Sequence, residues 1–355
     1  MSSGGRNAGR LKNYRLSNLS YLRSVIFRTA AAWTAFCPHR HACKRPMAAI
    51  QQWTVAAPWA EPHCALGEGP FYEVETDSLR LVDIKKKQIL YFRGVNAPAN
   101  KHTASAAPQI VQLNVCPTVT ADLHGVDPRE RILVGVKHGL ATLDVARGSY
   151  EMLMSFCKPP NERVRANDGC ADPLGRFLLG SMTDFGLGPF QPEGGLFLFT
   201  HDSAEELVTG LTIPNGIGWS PDLRTMYFTH SPTRELLAYN YDPATGTMSN
   251  RRVHHRYPTS GPEPDGLRVD AEGHVWQALY GGSAVLRVDG RTGAVLGRVA
   301  LPTRNATCVQ FVGEDLFVTT AADEDGQDEE SRRLGGAVFR VHVGVGGMQP
   351  FKFRM

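Results

Sequence analysis

Residues 163–177, RVRANDGCADPLGRF, place an asparagine and an aspartate next to a glycine and follow them at once with an Asp-Pro-x-Gly turn. The same order of residues recurs in LGEGPFYEVETD (66–77), IPNGIGWSPD (213–222) and PEPDGLRVDAEG (262–273). Hairpin turns are the simplest interpretation, because Asn-Gly and Asp-Gly are the strongest two-residue turn signals. The alternative is a set of ligands that repeated strands bring to one point.

The repeat extends along most of the chain. From Met47 onward, short apolar segments rich in β-branched and aromatic residues alternate with Gly, Pro, Asp and Asn, and no long helical pattern interrupts them. Turns that pair an aspartate with Pro or Gly recur at intervals of 45, 50 and 48 residues, at Asp127, Asp172, Asp222 and Asp270. Four-stranded repeats of roughly 40–50 residues are typical of β-propellers. The sequence therefore predicts an all-β fold, a six-bladed β-propeller over residues 47–355.

Three segments carry further expectations. WTVAA (53–57) is predicted to add a strand to the last blade and so close the ring, because an open propeller would leave sheet edges exposed. Residues 94–111, which are small and polar, are predicted to form an insertion between the first two blades. The acidic stretch 323–333 is predicted to be a solvated loop, since it lacks the ligand spacing and flanking helices of an EF-hand.

The charge distribution limits the possible partners. Residues 1–46 contain nine Lys or Arg and no acidic residue, so the remainder has 29 basic against 35 acidic residues, a net charge of −6. This mildly acidic body argues against a nucleic-acid surface. No apolar run is long enough to span a bilayer, and seven scattered cysteines suit a reduced intracellular protein. We therefore expect a small-molecule partner, while the oligomeric state is open.

The first 46 residues have two interpretations. Their Arg-rich, Ser-rich and acid-free composition is typical of a mitochondrial transit peptide. The alternative, which we prefer, is a basic, disordered extension on a cytoplasmic protein whose propeller begins near Met47. On that interpretation, a chain starting at Met47 keeps full activity and the same melting temperature.

The polar–glycine steps differ from ordinary hairpins in their position. Glu68, Asn215 and Asp265 follow loops and precede a single strand, and the next turn with its own aspartate is the hairpin. In a propeller that single strand is the innermost of its blade, so these residues, with Asn167 or Asp168, would meet at one mouth of the channel. The adjacent glycine would let the backbone approach whatever is bound there.

Such a cluster predicts a cation. Converging carboxylates repel one another unless a positive charge is present, and carboxylate and amide oxygens suit a hard divalent ion. Ca²⁺ is the expected metal, with Mg²⁺, Mn²⁺ and Zn²⁺ as alternatives. The competing interpretation is four turns whose side chains cap only their own loops. Four such steps in register, each introducing a blade, favour a metal-binding channel.

These segments also carry a family resemblance. LGEGPFY, RANDGCADPLGRF, IPNGIGWSPD and PDGLRVDAEGHVW resemble the signature segments of the SMP-30/gluconolactonase/luciferin-regenerating-enzyme-like (regucalcin-like) family, over about residues 50–345. The resemblance implies a six-bladed propeller that holds one divalent metal in its channel and hydrolyses sugar lactones. It implies roles for five residues: Glu68, Asn215 and Asp265 as metal ligands, Arg165 and Asn167 as substrate-binding residues, and Asp265 also as the proton donor and acceptor.

Two positions stand apart from that set. Asp168 lies beside the implied residues without an implied role of its own. In TDFGLG (183–188), Phe185 occupies a position where the family resemblance implies a substrate-binding acid, which leaves the identity of the sugar open.

The chemistry expected of this set is ester hydrolysis. A divalent ion polarises the lactone carbonyl, Asp265 handles the proton of the attacking water, and Arg165 and Asn167 hold substrate oxygens. The G-x-S-x-G sequence of a serine nucleophile is absent. Two alternatives remain: a phosphotriesterase-like hydrolase that uses the same site, and a non-catalytic calcium-binding propeller in which the metal is structural.

Overall fold

The computed structural model describes residues 50–104 and 106–355, and its strands form six sheets. Within each sheet the strands pair in chain order, antiparallel to their neighbours, with one parallel strand added to the fifth sheet. The first strands of the six sheets contact one another in a closed ring. The fold is the predicted six-bladed β-propeller.

The strands of the first three blades are β2 (Gly67–Glu73), β3 (Ser78–Asp83), β4 (Gln88–Arg93) and β5 (Gln109–Gln112); β6 (Val119–Asp122), β7 (Arg131–Val136), β8 (Gly139–Asp144) and β9 (Ser149–Ser155); β10 (Val164–Ala171), β11 (Phe177–Thr183), β12 (Gly194–Phe199) and β13 (Ala204–Leu211). The remaining strands are β1 (Gln51–Thr54), which joins blade 5; β14 (Pro214–Trp219), β15 (Thr225–His230), β16 (Glu235–Asp242) and β17 (Thr247–Arg256); β18 (Glu263–Val269), β19 (Val275–Tyr280), β20 (Ala284–Val288) and β21 (Val295–Ala300); β22 (Ala306–Val312), β23 (Asp315–Thr320) and β24 (Val338–His342). One short helix, α1 (Glu329–Leu334), lies between β23 and β24.

The periodic aspartates connect the first and second strands of successive blades, as the spacing predicts. Their carboxylates accept hydrogen bonds from backbone N–H groups of the turn: Asp172 Oδ1, for example, accepts from Leu174 N at 3.0 Å and Arg176 N at 2.8 Å. Asp270 Oδ1 accepts in the same way from the N–H groups two and four residues further on. The repeat in the sequence is therefore a repeated capped turn.

Burial decreases from the channel outward. Every residue of β11 and β14 is buried, whereas most residues of the outer strand β17 are exposed. Neighbouring blades cover both faces of these strands, so that even the polar and glycine residues of β11 and β14 are buried. The residues of the channel are thus held by the most tightly packed part of the fold.

Ring closure differs from the prediction. WTVAA does not add a strand to the last blade: β1 pairs parallel with β21 of blade 5, where the ring of Trp53 lies 5.2 Å from that of Trp276. The chain then crosses to blade 6, and Trp59 N and Ala60 N both donate to the carbonyl of Val338. The N-terminal segment therefore bridges two blades, because aromatic packing fixes β1 on blade 5.

Two loop predictions also need correction. Residues 94–111 are not an insertion between blades, because β5 at their end is the outer strand of blade 1. The acidic stretch is not simply a solvated loop. It contains α1, capped by Asp328 Oδ1 accepting from Glu330 N, and its first residue, Asp323, is buried and accepts from Ser331 Oγ at 2.6 Å.

The C-terminal segment, residues 346–354, crosses the ends of the inner strands where the capped turns lie. Met348 N donates to Val269 O, and Phe353 N donates to Asp122 O. Phe353 is buried among blades 2 and 3. The segment therefore ties three blades together at the end of the ring away from the polar–glycine steps.

The prediction of a disordered or targeting segment at residues 1–46 lies outside the described residues. In the part of the chain that the structure describes, no helix has the length and apolar character required to cross a membrane.

Candidate active site

The four polar–glycine steps lie on the innermost strands of blades 1, 3, 4 and 5, as predicted. In each strand the pairing with the next strand shifts at the polar residue, for example between Pro214 and Ile217 and between Pro264 and Leu267. Such a β-bulge interrupts the alternation of side chains and can re-aim one of them. The four polar–glycine steps of the sequence therefore correspond to a repeated β-bulge at the mouth of the channel.

The structure brings all five predicted site residues to one cavity of about 480 Å³, a size that suits a small-molecule ligand. They are Glu68, Arg165, Asn167, Asn215 and Asp265. Asp168, in contrast, is buried next to the cavity and does not line it.

The glycines act differently from our expectation. Gly216 does not leave room for a ligand: a β-carbon there would lie 2.6 Å from Leu267 N on the next blade. A β-carbon on Gly266 would likewise overlap Cys308 on blade 6. The space beside each of these bulges is filled by the neighbouring inner strand. Glycine here allows two blades, and not a ligand, to approach closely.

The carboxylates of the site are held in an unfavourable environment. Burial raises the pKa of Glu68 to about 8, and the charge of Asp168 adds to the shift. Burial and the charges of Glu68 and Asp168 raise the pKa of Asp265 well above its ordinary range. Burial also raises the pKa of Asp168, whose Oδ2 atom has no hydrogen-bond partner among the described residues. These groups repel one another when ionised.

The described part of the chain supplies no direct counter-ion to this cluster: none of Glu68, Asp168 and Asp265 forms an ion pair there. Arg268, three residues after Asp265, is near enough to lower the pKa of Asp168, but its guanidinium donates to Pro70 O at 3.1 Å and to other neighbours. A cation from outside the protein would satisfy these oxygens.

The chemistry of the donor set is that of a mixed oxygen site. Within residues 50–104 and 106–355, no three His, Cys, Asp or Glu side chains form a metal-binding group on their own. The predicted ligands are two carboxylates and one amide. They form an all-oxygen set only if Asn215 presents its amide oxygen, and not its NH2 group, to the ion.

A hydrogen-bond chain fixes that orientation. Ser231 Oγ donates its single proton to Pro264 O at 2.7 Å, so it must accept from Asn215 Nδ2 at 2.9 Å. The amide oxygen of Asn215 is thereby turned the other way, where it accepts from Asn167 Nδ2 at 3.3 Å. The amide oxygen is thus turned toward Asn167, in the cavity that Glu68 and Asp265 also line.

Arg165 and Asn167 form the other half of this chain. Arg165 Nη1 donates to Asn167 Oδ1 at 3.1 Å, and Asn167 Nδ2 also donates to Pro214 O at 2.8 Å. Burial lowers the pKa of Arg165 to about 10, so the guanidinium stays charged at neutral pH. The ring of Phe185 covers it at 4.1 Å, and only 3% of Arg165 is exposed.

Three site residues were missed in the sequence. Ser231 lies in a short 3-10 turn, a context with no recognisable signal. Arg268 follows Asp265 on the same inner strand, so its position near the channel could have been inferred. Asn305 precedes the inner strand of blade 6 and lines the cavity.

Comparisons with known proteins identify the family of this chain. The family described as "SMP-30/Gluconolactonase/LRE-like region" matches residues 66–322, which include the whole predicted set. The chain belongs to this family. The resemblance inferred from the signature segments is confirmed.

Curated relatives cover most of the chain. A pentonolactonase of Haloferax volcanii is 33% identical over 305 residues, 81% of this chain and 94% of that protein. Regucalcin of Bos taurus is 30% identical over 299 residues, 82% and 95% of the two chains. The solved structure of a calcium-binding protein, regucalcin, from Agrobacterium tumefaciens has a TM-score of 0.76 at 24% identity and covers 86% and 100% of the two chains. That structure supports the fold.

Proposed function

We propose that this SMP-30/gluconolactonase-like protein hydrolyses sugar lactones and that it does so with one divalent cation. The observation that carries the proposal is the buried cluster of Glu68 and Asp265, which forms no ion pair with the residues that the structure describes and lines the same cavity as the oriented amide of Asn215. A relative named as a pentonolactonase, at 33% identity, supports the lactone as the substrate class.

The residues present fit a hard divalent ion. Glu68, Asn215 and Asp265 would hold it, since carboxylate and amide oxygens are the ligands that Ca²⁺ and Mg²⁺ take in proteins. Ca²⁺ is the expected ion, in line with the relatives named regucalcin, and Zn²⁺, Mn²⁺ and Mg²⁺ are the alternatives. When bound, the ion would act as a Lewis acid that polarises the lactone carbonyl and stabilises the oxyanion.

The side chains of the protein supply the remaining steps. Asp265 accepts a proton from the attacking water and returns it to the ring oxygen as the ester bond breaks. Asn167 lies at the cavity between Arg165 and Asn215 and orients the substrate oxygens. Arg165, buried behind Phe185, keeps Asn167 in place and adds positive charge near the developing oxyanion.

A lactone panel assayed with several metals tests the proposal. Protein stripped with a chelator is supplied with Ca²⁺, Mg²⁺, Mn²⁺ or Zn²⁺ and assayed on gluconolactone, pentonolactones and a phosphotriester. We expect lactone hydrolysis that requires an added ion. Hydrolysis of the phosphotriester alone would favour the phosphotriesterase alternative, and metal binding without any hydrolysis would favour a structural calcium site.

A further inference from the structure

A group of polar side chains on blades 5 and 6 lines the cavity and has no part in the reaction steps proposed above. It consists of Tyr280 at the end of β19, Arg304 and Asn305 just before β22, and Asp323 shortly after β23. Arg165 and Asn167 reach the cavity from blade 3, which lies across the ring from blade 6. This group, the blade 5–6 subsite, is therefore a second polar surface for a ligand.

Asp323 is a carboxylate that the fold holds at the cavity. Only 4% of the residue is exposed, and Ser331 Oγ, in α1, donates to its Oδ2 at 2.6 Å. Its other oxygen, Oδ1, lies 3.5 Å from Arg304 Nη1. The same serine oxygen accepts from Arg304 N at 3.0 Å. The helix therefore fixes both members of the ion pair at one edge of the cavity.

The ion pair keeps hydrogen-bonding capacity for a ligand. The side chain of Arg304 is 45% exposed, and its guanidinium forms no hydrogen bond with the residues that the structure describes. A guanidinium carries several N–H donors in one plane, and a carboxylate accepts several hydrogen bonds. Arg304 and Asp323 can thus donate to one hydroxyl group and accept from the next.

Asn305 adds an acceptor to the subsite. Its Nδ2 donates to Ala322 O at 2.9 Å, which fixes the orientation of the amide. Its Oδ1 has no hydrogen-bond partner among the described residues, and only 5% of the residue is exposed. A buried acceptor without a donor is unfavourable, and a hydroxyl group of a ligand would supply the donor.

Tyr280 connects the subsite with the reacting centre. The residue is 41% exposed, and its hydroxyl forms no hydrogen bond within the described part of the chain. Burial raises the pKa of its phenol, and the charges of Asp265 and Asp323 raise it further, so the phenol lies within electrostatic reach of both carboxylates. A ligand that reaches Asp265 is therefore close to Tyr280 as well.

The charges around the subsite favour a neutral ligand. Besides the carboxylates assigned to the ion, the cavity is lined by four more, Glu263, Asp323, Glu324 and Asp325. Only three cations line the same cavity, Lys85, Arg165 and Arg304. Repulsion opposes a phosphate or carboxylate substituent in this surrounding, whereas hydroxyl groups can donate to these oxygens.

We infer that the blade 5–6 subsite binds the hydroxyl groups of the lactone that lie away from the ester bond, and so selects neutral, polyhydroxylated lactones. The inference rests on the proposed lactone hydrolysis and names residues that recognise its substrate. Arg304 and Tyr280 donate to the hydroxyl groups, and Asp323 and Asn305 accept from them.

Three lactones test the selection with the unaltered protein. The kcat/KM values are compared for δ-gluconolactone, for δ-valerolactone, whose ring has no hydroxyl group, and for 6-phosphoglucono-δ-lactone, with the metal that gives the highest rate. If δ-valerolactone is not hydrolysed, its inhibition constant against δ-gluconolactone is used. We expect δ-gluconolactone to exceed each of the others by about tenfold or more. A higher value for either of them overturns the inference. No turnover of any lactone with any metal overturns the proposed function.

Asp323→Asn identifies the subsite. The change removes the charge and keeps an acceptor for the hydroxyl of Ser331, so the loop retains its anchor. We expect kcat/KM for δ-gluconolactone to fall about tenfold and the value for δ-valerolactone to change by less than about twofold. Arg304→Met should show the same selectivity with a loss of about threefold, because its side chain is partly exposed. Arg333→Met, in α1 and outside the cavity lining, is the matched control and leaves both values unchanged.

Two results would overturn the assignment. One is a loss of equal size on the two lactones, and the other is an unchanged kcat/KM for δ-gluconolactone in Asp323→Asn. Calorimetric titration with Ca²⁺ separates the subsite from the ion. We expect Asp323→Asn to bind Ca²⁺ as the unaltered protein does, and a fall in affinity of about tenfold or more would assign Asp323 to the ion instead.

Discussion

Blade 1 takes part in two clusters of buried charge that are built in opposite ways. In the first, the fully buried Arg80 pairs with Glu73 and with Asp122 at 3.2 Å. Its guanidinium also lies 4.6 Å from the ring of Phe71 and donates to Thr120 at 2.8 Å. In the second cluster, Glu68 faces Asp168 and Asp265, and the described residues offer no ion pair to any of the three.

The difference indicates that the first cluster serves stability and the second serves activity. Charges that the protein compensates with its own side chains stabilise one arrangement of blades and need no ligand. Charges that the protein gathers without compensation make the folded state less stable, and they persist where an external ion provides the missing interaction. The comparison predicts that removing a charge from the first cluster harms folding, whereas removing one from the second harms activity alone.

The largest expected effect belongs to Asp265→Asn. The amide cannot take up the proton of the attacking water, so we expect kcat to fall by about 10²–10⁴-fold. The metal-free variant should melt no lower than the unaltered protein, because one of the repelling carboxylates is gone. Steady-state kinetics and thermal melting check both parts. Near-normal activity would remove Asp265 from the mechanism.

Arg80→Met should show the reverse behaviour. The change leaves Glu73 buried without a cation and leaves Asp122 with Lys352 alone, at 3.7 Å, which destabilises the fold by about 3–5 kcal/mol. Urea unfolding measures the loss, and Arg129→Met provides the control, because its pair with Asp127 is exposed to solvent and contributes little to stability. Equal stability of the two variants would show that the Arg80 cluster is not structural.

Ser231→Ala tests whether the second cluster binds metal through the oriented amide of Asn215. Without the hydroxyl, Asn215 loses the partner that fixes the orientation of its amide, so metal affinity should fall about 10–100-fold. Calorimetric titration with Ca²⁺ measures this without reference to activity. Ser231→Thr keeps the hydroxyl and should restore most of the affinity. Equal loss in both variants would point to packing and not to amide orientation.

Glu68→Gln tests the repulsion itself. In the metal-free protein the raised pKa of Glu68, about 8, means that the folded state retains a proton that the unfolded state releases, so stability falls as pH rises from about 5 to 8. Removing the charge should flatten this dependence and raise the Tm at pH 8 on the order of 2 °C. A Tm that does not change with pH in the metal-free unaltered protein would contradict the predicted repulsion.

The sequence was sufficient for the fold and for the convergence of the five predicted site residues on one cavity, for definite physical reasons. The aspartate turns recur because each blade repeats the same capped turn, and Asn215 and Asp265 stand out because bulges need glycine beside them. The placement of β1 was not predictable, since a four-residue strand can pair with either neighbouring blade until the packing of Trp53 is known. Ser231 acts through a contact between blades, which no local pattern encodes.

The central claim is that the uncompensated carboxylates require a divalent ion for lactone hydrolysis. The most direct test titrates Ca²⁺ into chelator-treated protein while bound ion and hydrolysis of a lactone substrate are followed in parallel. The account predicts negligible hydrolysis at the start and a rate that rises in proportion to bound ion, up to one ion per chain. Undiminished hydrolysis by the chelator-treated protein would contradict it.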